Sequence, residues 1–202
     1  MGKRFTLTML IMLFCLGTWG TRAFAAESAQ AVVQSGTNQI VQILSQYPQN
    51  TRARREQIHA VVDKYFDFEA MSRLAVGPRW SSLPPEKQKE FEQEFTKLLF
   101  NTYVGDIEKY ARQRATFGTR PISQGYVVVR EVVRDQNGSV SLDYYMHMKD
   151  GNWKVFDVAA EGMSIVTNYR DQFSSILTNG SFDDLSRMLR QQIAQICGTN
   201  RC

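Results

Sequence analysis

The chain predicts an α+β protein in which helices cover one face of a curved antiparallel sheet. Two changes of period carry that reading. Apolar residues recur at helical spacing as far as Ala111, switch to strand spacing between Tyr126 and Val158, and return to helical spacing from Ser164. Short turn sequences separate the strand segments, which favours hairpins over parallel crossovers. Helical and strand segments segregated along the chain suit a layered α+β arrangement.

The elements follow in order. Lys3 and Arg4 precede an apolar core from Leu7 to Leu16, and Ala23-Phe24-Ala25 supplies the small residues of a cleavage site. This predicts a signal peptide over residues 1–25 and a single domain over residues 26–202. The apolar run falls short of the ~18–20 residues a membrane span needs, and bulky Phe14 before Cys15 disfavours a lipoprotein. Val32, Val33, Ile40, Ile43 and Leu44 then mark a helix that Pro48 stops. A second begins near Arg52, with Ile58, Val61, Val62, Tyr65 and Phe66 on one side. Asp67 is placed to cap a short helix that Gly77-Pro78 ends. Ser82 and Pro84-Pro85 open a long helix whose apolar stripe includes Phe91, Phe95, Leu98, Leu99, Tyr103 and Ile107.

Three strands follow at Tyr126 to Arg134, Ser139 to Met148 and Asn152 to Val158, with turns at Asp135-Gln136-Asn137-Gly138 and Lys149-Asp150-Gly151-Asn152. Thr116 to Ile122 is expected as a short edge strand. Val140, Leu142, Tyr144, Met146 and Met148 alternate with more polar residues and form one apolar face. Two helices close the chain, Ser164 to Leu177 and Ser181 to Ile196, the second opened by Ser181 with Asp184 in the manner of a capping box.

Composition narrows the function. The chain holds 24 Lys+Arg and 20 Asp+Glu, and Lys3, Arg4 and Arg22 belong to the signal segment, which leaves 21 against 20. A nucleic-acid surface is not implied. Arg52, Arg54 and Arg55 are expected to face water at a helix start. His59 and His147 lie on different elements without metal spacing, and no nucleophile elbow or phosphate-cradling loop is present. Cys197 and Cys202 are either a disulfide staple or part of a frayed tail; their spacing is not that of a redox or zinc motif. Asp157 on the last strand would be a candidate general base if buried; an acid facing solvent or tying a backbone turn is the ordinary alternative. Glu161-Gly162 reads as a joint between strand and helix.

The stretch Asn152 to Phe173 (NWKVFDVAAEGMSIVTNYRDQF) is the most telling. A strand passes through a small-residue joint into an amphipathic helix with far more apolar surface than catalysis needs, which suits a protein that holds something greasy. Together with YFDFEAMSRLAVGPRW from Tyr65 and FEQEFTKLLFNTYVGDIEKY from Phe91, this block resembles the MlaC or toluene-tolerance family of periplasmic phospholipid-binding proteins. The blocks match in order and spacing over about residues 27–195. The Cys197/Cys202 tail lies outside the shared pattern, and Val76-Gly77 stands where many members have Leu-Gly.

The resemblance implies a fold related to the nuclear-transport-factor-2-like cone, with an apolar cavity between sheet and helices. It implies a periplasmic carrier with no cofactor and no catalytic residue, its cargo a bound phospholipid. Its partners would be an outer-membrane lipoprotein–porin complex and the substrate-binding component of an inner-membrane ABC transporter, and the shuttle is most simply a monomer. Some relatives are linked to hopanoids. The expected cavity wall is Phe95, Leu99 and Tyr103 from the long helix, Val128, Tyr144 and Met146 from the sheet, and Trp153, Val155, Met163, Val166 and Tyr169 from the telling stretch. Arg79 and Arg170 are the expected head-group rim. Two other classes stay open on the residues alone: a small-molecule enzyme on the same cone, for which Asp157 and Tyr144 are the hints, and an adaptor with an exposed patch.

Overall fold

The computed structural model describes residues 27–135 and 138–198. The expected signal peptide and Cys202 lie outside the described residues. Helix α1 (Ala29–Gln46) packs antiparallel to α2 (Thr51–Tyr65), and α3 (Phe68–Val76) runs through a short 3-10 turn (Gly77–Ser82) into α4 (Pro85–Tyr110). Strands β1 (Arg114–Ser123), β2 (Tyr126–Asp135), β3 (Gly138–Lys149), β4 (Asn152–Ala160) and the two-residue β5 (Met163–Ser164) follow. Helices α5 (Ile165–Asn179) and α6 (Phe182–Gly198) complete the chain. The five strands pair in sequence order, each antiparallel to the next.

Local chemistry sets most boundaries. Ser28, Asn50, Asp67 and Ser164 each accept a hydrogen bond from a first-turn N–H of the helix that follows. Each such cap is worth about 1 kcal/mol. Ser181 and Asp184 bond reciprocally, the Asp184 N–H to the serine hydroxyl at 3.2 Å and the Ser181 N–H to the carboxylate at 2.9 Å. Helix α4 has no side-chain cap and relies on Pro84 and Pro85, whose fixed φ pre-forms the first turn. Asp150 (φ 50) and Gly151 (φ 77) form the two-residue β3–β4 turn, and Glu161 (φ 49) with Gly162 (φ 83) turns β4 into β5. Positive φ at both turn residues gives the twist that antiparallel strands prefer. The expected turn at Gln136 and Asn137 lies outside the described residues.

Two departures from the sequence expectation stand out. The edge strand is not short: β1 pairs with β2 from Arg114 to Ser123. Its residues are mostly exposed, so it lacks the apolar alternation that reveals a strand. The basic cluster does not wholly face water either. Arg52 does, but Arg54 and Arg55 clamp Glu108 of α4 at 2.8 and 3.4 Å, fixing the start of α2 to the end of α4. Burial pushes the Glu108 carboxyl up, but the two guanidiniums outweigh it and hold it below the usual range. Cys197 is disulfide-bonded, one of the two outcomes the sequence offered for the tail.

The core divides into three parts. Phe91, Phe95, Phe173, Leu185 and Leu189 centre a helical layer built from α3 to α6. Val129, Met146, Val155 and Val158 pack beneath the start of α1, and Ile43, Leu44, Ile58, Val61 and Val104 join α1, α2 and α4. The space between the second and third parts is where the site lies.

Candidate functional site: an apolar cavity between sheet and helices

Helices α1, α2 and α4 arch over one face of the sheet and enclose a cavity of about 470 Å³. Pockets for small molecules typically span ~300–1,000 Å³. Val32, Val33 and Ile40 of α1 form one side, Val61, Val62 and Tyr65 of α2 another, and Leu99, Tyr103 and Ile107 of α4 the roof. The sheet supplies Val133, Val140, Leu142, Tyr144, Val155, Val158 and Ala160 as the floor, and Ile165 opens α5 beside it.

Register explains which sheet residues reach the cavity. Directly paired residues on antiparallel strands share a face, so Val129 with Tyr144, Glu131 with Leu142, and Val133 with Val140 point inward. On β4 a bulge at Phe156 shifts the pairing between Tyr145 and Met146. Val155 and Val158, three apart, therefore both face in, while Phe156 turns outward to Tyr126, Tyr145 and His147.

Leu99, Tyr103, Tyr144 and Val155 lie in the wall. The other expected residues do not. Val128 is paired with Tyr145 and lies on the opposite face, because the run Val127-Val128-Val129 carries no alternation from which parity can be read. Phe95 packs on Tyr169 and Phe173 in the helical layer, with ring centroids 5.2 and 5.5 Å apart. Val166 and Tyr169 belong to that layer too. The apolar stripe of α4 is broad enough to serve two cores. Met146 and Trp153 face the cavity side but lie beyond its end, packed under α1. Met163 is 74% exposed in the β4–β5 turn. Arg79 and Arg170 are exposed on the helical layer and do not border the cavity.

The cavity rim is acidic rather than basic. Asp106 and Glu161 are exposed and mark the mouth, and no Lys or Arg lines the cavity among the described residues. Within the wall, Glu131 is 4% exposed and accepts a hydrogen bond from the Tyr144 hydroxyl at 2.7 Å. Burial pushes the Glu131 carboxyl up, a trend the tyrosine hydrogen bond only moderates, and burial beside Glu131 raises the Tyr144 phenol well above its usual value. Tyr103 is likewise pushed up to about 12 by burial. Glu131 was not anticipated, although the signal was present: it interrupts the inward valines at 127, 129 and 133.

Asp157 has a structural occupation. Its carboxylate accepts from the Val158 and Val166 N–H groups at 2.8 and 3.0 Å and from the Ser164 hydroxyl at 2.5 Å, tying β4 to the start of α5. It is not paired with Tyr144. Asp67 plays a similar part on the other side, accepting from Ala70 N–H, His147 Nε2 and Lys149 Nζ. Its neighbours Phe66 and Phe68, with Phe100, separate the cavity from a wider polar groove of about 1330 Å³ that mixes Lys97 and Lys149 with Glu69 and Glu92. No group of three or more metal-ligating side chains is assembled among the described residues, and no described helix is long and apolar enough to cross a membrane.

Known proteins share this architecture. A phospholipid-binding protein from Ralstonia solanacearum, solved in complex with a phospholipid, superposes with a TM-score of 0.76 and 26% identity over 85% of this chain and 99% of that one. The toluene tolerance protein ttg2D of Pseudomonas putida is 25% identical over 179 residues, 85% of this chain and 83% of that protein. The intermembrane phospholipid transport system binding protein MlaC of Haemophilus influenzae is 21% identical over 137 residues, 65% of this chain and 64% of that protein. Residues 31–191 match the MlaC protein family, so nearly the whole described fold, cavity included, is covered and the chain belongs to the MlaC family.

Proposed function

We propose that this protein is a periplasmic phospholipid carrier that holds acyl tails in the cavity and moves them between membranes without a covalent step. The observation that carries the reading is the apolar cavity walled by α1, α2, α4 and the inward face of the sheet. Family membership and the phospholipid bound by the Ralstonia solanacearum protein support it.

The physical case is one of transfer. Two long tails carry about 30 methylenes at ~0.8 kcal/mol each, which forbids free passage through water. Passing them from bilayer to an apolar pocket exchanges one greasy environment for another, so a docked partner can decide the direction. A phosphodiester buried without partners would be costly, and the head group therefore stays at the mouth. In this reading the donor and acceptor are an outer-membrane lipoprotein–porin complex and an inner-membrane ABC transporter, and the service is the maintenance of outer-membrane lipid asymmetry. Asp157 is fully engaged in the β4–α5 corner, which favours a carrier over an enzyme.

Native mass spectrometry of protein isolated from the periplasm without detergent tests this. Stoichiometric phospholipid is the expected result. Protein that arrives empty and takes no lipid from vesicles would refute it.

A further inference from the structure

We propose that Glu131, oriented by Tyr144, is a polar subsite of the cavity wall that donates a hydrogen bond to an ester carbonyl of an acyl lipid. The inference rests on the carrier reading and adds to it which part of the cargo the wall recognises. Glu131 occupies an inward position on β2, diagonal to Tyr144 on β3, with Leu142 directly across the ladder. The tyrosine hydroxyl donates to Oε2 at 2.7 Å, the one hydrogen bond the Glu131 carboxyl makes among the described residues. A carboxyl that is 4% exposed in an apolar wall is therefore held by one oxygen, with the other left for whatever fills the cavity.

The protonation state follows from what surrounds the group. No lysine or arginine lines the cavity among the described residues, so an ionised Glu131 would have no countercharge. Burial favours the neutral acid and shifts the carboxyl upward. With Oε2 accepting from Tyr144, the acidic proton resides on Oε1, and the subsite offers a donor to the cavity. Acyl tails offer no acceptor along their length except the carbonyl that joins them to glycerol. An ester carbonyl is thus the part of a diacyl lipid that answers this donor, and an alkyl ether of equal length lacks it.

The experiment offers the full-length mature protein vesicles of an equimolar diacyl phosphocholine and dialkyl-ether phosphocholine with matched chains. The protein is re-isolated, and mass spectrometry of its extract gives the ester-to-ether ratio. Wild type should favour the ester roughly threefold to tenfold, the worth of one net hydrogen bond. Glu131→Leu with Tyr144→Phe removes both polar groups without orphaning either, and should bring the ratio to one in whatever lipid is taken up. Glu131→Gln keeps a neutral donor and an acceptor for Tyr144, and should retain the preference. A wild-type ratio of one, or a Gln variant as indifferent as the Leu/Phe variant, overturns the subsite and leaves the carrier standing. Failure of wild type to take either lipid overturns both.

Discussion

Replacing Asp67 with alanine should detach α3 from the sheet and loosen the cavity beside it. Its carboxylate has 3% side-chain exposure and performs three tasks. It caps α3 through the Ala70 N–H at 3.1 Å and meets His147 Nε2 and Lys149 Nζ, both at 2.9 Å. Losing the cap costs about 1 kcal/mol. Hydrogen bonds to a charged group are worth about 1.5–3 kcal/mol each. That range applies to the contact with His147, which is 17% exposed; Lys149 is 39% exposed and keeps Glu69, so its share is discounted to about 1 kcal/mol. The total is about 3.5–5 kcal/mol, or a Tm lowered by roughly 10 °C for a domain of this size. Asp67→Asn keeps an equally good cap and should lose about three-quarters of that amount. Circular-dichroism melts of the three proteins make the measurement. The pH dependence has a definite sign. Burial raises the Asp67 carboxyl, but Lys149, the Ala70 N–H and His147 together bring it below 3.8. Its contribution is therefore complete above the unfolded value and lost as pH falls through the lower folded value, so the gap between wild type and Asp67→Ala should close below about pH 4. Phe66 and Phe68 line the cavity on either side of Asp67, and the alanine variant should also retain less lipid. An alanine variant within 1 kcal/mol of wild type, or an asparagine variant as unstable as the alanine one, would refute the reasoning.

Other outcomes follow from the same structure. Leu142→Asp places a charge on the half-buried floor of the cavity and should abolish lipid co-purification from a folded protein, whereas Met163→Asp, at a 74% exposed site, should leave it unchanged; lipid extracts of both variants decide. Gly77 sits at φ 72 and ψ −144, a conformation open almost only to glycine, and Gly77→Ala should cost about 1–3 kcal/mol in urea titration. Glu108→Gln breaks the clamp on Arg54 and Arg55, and because Glu108 is held below its usual range, that stabilisation is present above about pH 4.5 and disappears as pH falls further. The destabilisation, read from thermal melts, should be near 1–2 kcal/mol at neutral pH and should shrink steadily as the pH is taken below about 4.5.

Periodicity, caps and turn residues are local properties, and they made the layered α+β fold legible. Pro48, Gly77-Pro78 and Pro84-Pro85 stop or start helices through fixed dihedrals, Asp67 and Ser181 supply caps, and Asp150-Gly151 supplies the φ > 0 pair of a hairpin. None of these needs a distant partner to act. The cavity wall is a different kind of fact. Leu99 and Phe95 stand one turn apart on the same apolar stripe, and only the packing of α5 and α6 sends Phe95 into the helical layer while Leu99 fronts the cavity. Val128 looked equivalent to its valine neighbours until the β2–β3 register turned it outward, and the Phe156 bulge, invisible in the sequence pattern, brought Val155 and Val158 to one face. Glu131 was hidden for the same reason: a lone acid among valines acquires meaning only when Tyr144 of the next strand is set diagonally beside it. The sequence by itself determined which segments are helix and strand, because backbone dihedrals respond to near neighbours. Which apolar side chains became solid core and which were left to line a container was decided by tertiary packing, since burial is a property of surfaces brought together from far apart in the chain.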